Sequence, residues 1–256
     1  MELHNLIETK FKGAKKGKEL TKQIIEFLDT KKGFTKENTI FGTSTCPDEI
    51  CRNNTEFAKH YGENFIMGGL AGLPHTGLTG AIAFSHHTPD CDGTRNLLLL
   101  YAPHIAVGKE GIGKVKRRGM NHCTTACGSM FAALNKLMNS WENNEIHIPR
   151  IDYRDNQQRE VTLALAKKIP KIMKSENKEL EALEALYEEI DNQIMEIIQQ
   201  TEFDFDGRIT LIGGIQINLD CDETECKEGY FQLRRFGSFH NRKEDFQSYT
   251  EELNGN

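Results

Sequence analysis

The stretch "RNLLLLYAPHIAV", residues 95–107, is a continuous apolar run bounded by turn signals. A strand with one wet face alternates apolar and polar residues. A run without alternation is the mark of a strand covered on both faces, as in the parallel sheets of α/β proteins. Working outward, "NTIFGTSTC" (38–46), "RITLIGGIQINLD" (208–220) and "GYFQLRRFGSF" (229–239) read as further strands. Helical patterns lie between them. In "KKGKELTKQIIEFLDT" (15–30), Leu20, Ile24, Ile25, Phe27 and Leu28 recur at helical spacing and Gly33 supplies the stop. "NTEFAKHYG" reads as a short helix closed by Gly62. "NHCTTACGSMFAALNKLMNSW" reads as a helix capped by Asn121, with Cys127 in its early turns. Residues 155–200 predict one or two long helices interrupted near Pro170, the second with a stripe of Leu180, Leu183, Tyr187, Ile190, Ile194 and Ile197 suited to a core or a subunit interface. The expected fold is α/β, a mainly parallel central sheet flanked by helices.

At 256 residues and 38% hydrophobic content the chain reads as a single domain over 1–256, with its core at about 38–236, a lead-in helix at 15–30 and a polar tail at 240–256. A net charge of -6 with dispersed Lys and Arg argues against nucleic acid as a partner. No stretch reaches the roughly 20 apolar residues of a membrane helix, and the N-terminus lacks a signal-peptide pattern, so no membrane association and a cytoplasmic location are expected. Seven cysteines in a domain of this size do not form a complete disulfide framework; they divide among reduced thiols, metal ligands and core packing.

Cys46 follows one expected strand and His104 closes another, where open parallel sheets bind ligands. With Cys127 near a helix start, where the helix dipole favours a thiolate, they can supply three ligands of a catalytic zinc site with the fourth position free. Spacings of 58 and 23 residues are not a compact finger pattern, and the same residues read equally as buried cysteines and a core histidine. The glycine-rich segment from Phe65 to Gly93 reads as loop-dominated. Its "GLPHTGLTG" lacks the lysine of a phosphate loop, and the adjacent His86 and His87 point opposite ways in an extended segment. "CDETEC", from Cys221 to Cys226, reads as a solvated turn.

Cys46-Pro47-Asp48 resembles the Cys-x-Asp start of the β-type carbonic anhydrase zinc site. "GGLAGLPHTGLTGAIAFSHHTPD", "LLLLYAPHIAV", "GIGKVKRRGMNHCTTACGS" and "GGIQINLD", in that order, resemble the limiting-CO2-inducible protein B/C (LCIB) family, a β-carbonic-anhydrase-like group related to the θ class. The resemblance implies Zn2+ held by Cys46, His104 and Cys127, with Asp48 beside the open position and an arginine restraining it. It implies hydration of CO2 to bicarbonate by a zinc-held hydroxide, and a homodimer. In ordinary β enzymes that arginine follows the aspartate by two residues; here that place is Ile50, so the expected partner is Arg117 in "GKVKRRG", with Arg118 or Arg52 as substitutes. The usual His-x-x-Cys pair is also absent, since Val107 occupies the place, so the third ligand comes from "NHCTTACG". Cys123 competes with Cys127 for that role, and His122 reads as a rim proton shuttle or an exposed histidine. A small apolar pocket lined by Phe84 and Leu70 would suit CO2. Two other functions fit the residues: a catalytically weak zinc and bicarbonate sensor or assembly subunit of the same fold, and a thiol enzyme with Cys46 or Cys123 as nucleophile.

Overall fold

The computed structural model describes residues 3–51, 55–145, 150–151, 153–200, 203–221, 228–240 and 245–254. Its helices are α1 (Leu3–Lys10), α2 (Gly17–Lys32), α3 (Thr55–Tyr61), α4 (Gly77–His86), α5 (Gly128–Glu142), α6 (Asn156–Ala166), α7 (Ile169–Lys174), α8 (Lys178–Gln199) and α9 (Thr250–Leu253). Its strands are β1 (Lys15–Lys16), β2 (Thr39–Thr45), β3 (Phe65–Ile66), β4 (Asn96–Ala102), β5 (His104–Gly108), β6 (Gly111–Ile112), β7 (Lys114–Lys116), β8 (Cys123–Thr125), β9 (Arg208–Leu219), β10 (Tyr230–His240) and β11 (Gln247–Ser248).

The main sheet runs β1-β10-β9-β4-β2-β3. Its middle is parallel, through the β3–β2, β2–β4, β4–β9 and β5–β9 pairs. One edge is antiparallel, because β10 returns beside β9 and carries β1 and β11. The fold is a mixed α/β sheet with helices on both faces, as the apolar run of β4 requires. Leu97, Leu99 and Tyr101 enter one core with α5, α6 and α8, while Leu98, Leu100 and Ala102 enter a second with α2 and α3. Each buried leucine contributes about 1.5–3 kcal/mol relative to exposure.

The α2 helix buries Leu20, Ile24, Phe27 and Leu28 and ends at Gly33, whose φ of 72° lets its N–H reach the Leu28 carbonyl. Half of the stripe on α8 lies in the core: Leu183, Ile190 and Ile194 are buried within this chain, while Leu180, Tyr187 and Ile197 are half-buried. Asn177 caps α8, its side chain accepting from the Leu180 N–H.

Two local expectations are corrected. The 95–107 run is not one strand: Pro103 has no N–H to donate, and β4 ends before it, so His104 is the first residue of β5, which pairs with β9. The glycine-rich segment is only half loop. Residues 77–86 form α4, and Phe84 packs across Gly42 and stacks on Phe65 in the core. Gly68 and Gly72 do make a close loop, pressed against Thr45 and Ala102 at the carboxyl ends of β2 and β4. No side chain fits there, and Gly72, at φ +91°, accepts the Ser44 hydroxyl at 2.9 Å. Among the described residues no helix is long and apolar enough to cross a membrane.

One polar network ties α8 to the sheet. Asp191 on α8 accepts Tyr101 Oη at 2.5 Å, Arg235 Nε at 2.7 Å and Arg235 Nη2 at 2.7 Å. Burial pushes the Asp191 carboxyl up, and the bonds from Arg235 and Tyr101 outweigh it, so its pKa lies below the ordinary value. Asp191→Asn is expected to cost about 3 kcal/mol at neutral pH in urea unfolding, the order found for breaking a largely buried ion pair. Because the folded pKa is depressed, this contribution is complete above the unfolded value of about 3.9 and disappears as pH falls through the folded one. The parent and variant curves should therefore converge below about pH 4; an unchanged gap at pH 3 would contradict the assignment.

Candidate metal centre

Three chain segments meet at the carboxyl ends of β2 and β4. Cys46 lies one residue past β2, His104 opens β5, and Cys127 is the N-cap of α5; all three are buried. One ligand atom from each lies within 4.8 Å of the other two. A tetrahedral zinc with ordinary Zn–S and Zn–N bonds has ligand–ligand edges of about 3.5–3.8 Å, so small side-chain movements suffice.

The imidazole is fixed from behind. His104 Nδ1 lies 2.9 Å from Asn218 Oδ1, and Asn218 Nδ2 donates to the Ile50 carbonyl at 2.8 Å. That second bond sets the amide orientation, so Oδ1 faces the ring and Nδ1 must be the donor. Nε2, which has no hydrogen-bond partner, is turned to the two sulfurs. A buried nitrogen without a partner, facing two thiols, is what a metal-binding donor set requires, and the residues fit Zn2+.

Without a metal the cluster shares protons. The Cys46 thiol is pulled down to about 4, first by the Cys127 hydrogen bond and then by His104, against its own burial. The same contact, with burial, pushes Cys127 up. The two sulfurs and the imidazole therefore hold their protons as one coupled group, and a metal ion must displace thiol protons to bind.

Asp48 sits beside this group, with Oδ2 3.9 Å from His104 Nε2. Arg117 grips both carboxylate oxygens, Nη1 to Oδ1 at 2.7 Å and Nη2 to Oδ2 at 2.8 Å. The guanidinium is itself held by the β7–β8 hairpin: Nε donates to Thr124 Oγ1 at 2.9 Å and Nη2 to the Thr125 carbonyl at 3.4 Å. Burial raises the Asp48 pKa, the Arg117 fork lowers it further than that, and the carboxyl is held at about 2. Glu49 shares Nη1 of the same arginine from the solvent side.

The structure thus brings together Cys46, Asp48, His104, Arg117 and Cys127. Arg118 is exposed, and Arg52 lies outside the described residues. His122 is exposed and Cys123 half-buried, and Cys123 is outside the three-residue group. The helix expected from Asn121 begins only at Gly128, after the β8 strand, so Cys123 and Cys127 do not share a helix face. His86 and His87 are exposed at the end of α4 and stand outside the group, as does Asp90. Residues 222–227, most of the "CDETEC" turn, lie outside the described residues; Cys221 is disulfide-bonded and not a free thiol. Asn218 escaped the sequence reading, although a polar residue inside the apolar run "GGIQINLD" was a usable signal.

Residues 16–239 match the family model of the limiting CO2-inducible protein B/C β carbonic anhydrases. The chain belongs to that family. Among solved structures, PtLCIB4, a homologue of the limiting CO2-inducible protein LCIB, is 31% identical, with a TM-score of 0.84 over 96% of this chain and 98% of that one. LCIB itself aligns with a TM-score of 0.71 over 97% of this chain and 99% of that one, at 20% identity, and so shares the fold. A search of curated protein sequences finds no match. The segments that carried the sequence resemblance lie on the geometry just described: Cys46 to Asp48 at the β2 end, His104 on β5, and Arg117 and Cys127 around the β7–β8 hairpin.

Proposed function

We propose that this LCIB-family chain is a zinc carbonic anhydrase that interconverts CO2 and bicarbonate in the cytoplasm, with Cys46, His104 and Cys127 as the metal ligands. The observation that carries the reading is the buried Cys-His-Cys group with an unpartnered imidazole nitrogen turned into it. Bound zinc supplies Lewis acidity that brings the pKa of a coordinated water to about 7.

The protein's own groups do the rest. Asn218 holds the His104 ring and its tautomer. Asp48 presents Oδ2, the oxygen nearest His104, as the proton acceptor, and the Arg117 fork keeps its carboxylate ionised at neutral pH. Arg117 occupies both Asp48 oxygens and keeps the carboxylate from swinging onto the metal. That contact favours an open fourth position over the closed site a sensor would have, because closure would require the fork to break.

The deciding experiment is metal analysis with stopped-flow CO2 hydration on zinc-loaded full-length protein. About one zinc per chain and hydration well above the buffer rate are expected. Zinc without hydration across a wide pH range would favour the sensor, and activity without zinc, lost to thiol alkylation, would favour a cysteine nucleophile. We assign a homodimer on the family resemblance and the half-buried part of the α8 stripe; sedimentation of the same sample showing only monomer would remove it.

A further inference from the structure

Gln216 and Asn218 on one face of β9, and Asp220 just past its end, stand two residues apart and are each more than nine-tenths buried. The residues between and before them, Ile215, Ile217 and Leu219, fill the opposite face with apolar side chains. Three polar groups on and just past a doubly covered strand call for an account, and two have one. Asp220 accepts the Lys116 N–H at Oδ1 (2.8 Å) and the Lys109 N–H at Oδ2 (2.9 Å), which anchors the turns around β6 and β7. Asn218 links His104 to the Ile50 carbonyl. Gln216, only 2% exposed, leaves its Nε2 without any partner. An unpaired buried amide is a net cost to the fold, and such costs persist where function requires them.

The placement of Gln216 says what it is for. It is the Cα partner of His104 across the parallel β5–β9 pair, so the two side chains stand on the same face of adjacent strands about 4.8 Å apart. The His104 ring is held toward Asn218, one step further along β9, and Gln216 flanks it on the side of the sheet interior. Two unpartnered buried nitrogens therefore sit on neighbouring strands: Nε2 of His104, and Nε2 of Gln216, which carries only N–H donors. A buried donor on the strand next to a metal ligand has one natural complement, the oxygen of a small anion.

Resting on the carbonic anhydrase reading, we propose that Gln216 is the anion-contacting residue of this site, its side-chain amide donating to an oxygen of bicarbonate. The amide is held ready by the strand, without the charge that would trap the product.

Full-length Gln216→Leu and the volume-matched Gln216→Met test this with two independent readouts. In the metal-free protein, removal of an unpaired donor should raise Tm by about 2–4 °C. In the cobalt-substituted protein, followed by its visible spectrum, bicarbonate should bind at least about 10-fold more weakly than to the parent, with cobalt stoichiometry unchanged. Parent-like bicarbonate affinity in either folded variant would overturn the proposal, as would a fall in Tm in both variants, which would mean that the amide is structurally satisfied. A parent that takes up no cobalt or zinc would instead sink the carbonic anhydrase reading, and this inference with it.

Discussion

Cys46→Ala, His104→Ala and Cys127→Ala are each expected to lose the metal, with affinity falling more than about 100-fold and CO2 hydration falling to the buffer rate. The reason is geometric. Two sulfurs and one imidazole nitrogen supply all the protein donors in a group whose atoms lie within 4.8 Å of one another, and two remaining ligands do not hold zinc against a chelator. The fold should survive, because each side chain is one of many in a sheet buried on both faces. Asn218→Ala provides the graded control. It leaves all three donors in place but frees the His104 ring, so its cost should fall in the range of about 10–100-fold in metal affinity. Equilibrium dialysis against a competing chelator ranks the four variants; if Asn218→Ala costs as much as His104→Ala, the amide does more than orient the ring. If all three ligand variants keep stoichiometric zinc, the site lies elsewhere.

The parts of this centre that could be read in advance are those whose physics is local. The Leu97–Leu100 run declares a doubly covered strand because every residue is apolar, and the α8 stripe declares a buried helix face through its spacing. Where tertiary contacts decide, local sequence does not carry the answer. Pro103 splits a run that is apolar throughout, so His104 was placed at the end of a strand it in fact begins. The "CTT" of residues 123–125 pairs with β7, a partner no helical pattern reveals, and this moved the start of α5 to Gly128. The glycines of residues 68–80 hid α4, because glycine lowers helix propensity while the packing of Phe84 against Gly42 restores the balance. Arg117 was expected only through the family resemblance, since 69 residues separate it from Asp48 and Ile50 breaks the local pattern. Asn218 and Gln216 carry no sulfur, imidazole or carboxylate to mark them in the sequence, and their importance lies in what stands on the neighbouring strand.

Asp48→Ala and Arg117→Ala should both retain zinc and both lose rate, by about 10²–10⁴-fold for Asp48 as the proton-accepting group. The two losses have different causes, and the metal-free proteins separate them. In Asp48→Ala the acceptor is gone, while Arg117 keeps Thr124 and Glu49 as partners, so the hairpin stays in place. In Arg117→Ala the carboxylate remains but loses both donors that hold it at about 2, and its pKa should rise toward the ordinary value near 3.9. Freed from the fork, Asp48 is close enough to the ligand atoms, 3.9 Å from His104 Nε2, to turn onto the metal. Arg117→Ala is therefore expected to bind zinc at least as tightly as the parent while hydrating CO2 more slowly, with a carboxylate added to the coordination sphere in X-ray absorption. Arg117→Lys supplies the charge without the fork and should recover little, because a single ammonium cannot engage both oxygens. Parent-like hydration by Asp48→Ala would show that proton acceptance lies elsewhere. Parent-like hydration by Arg117→Ala would show that Asp48 needs no restraint, and the arginine at this site would then serve only to anchor the β7–β8 hairpin.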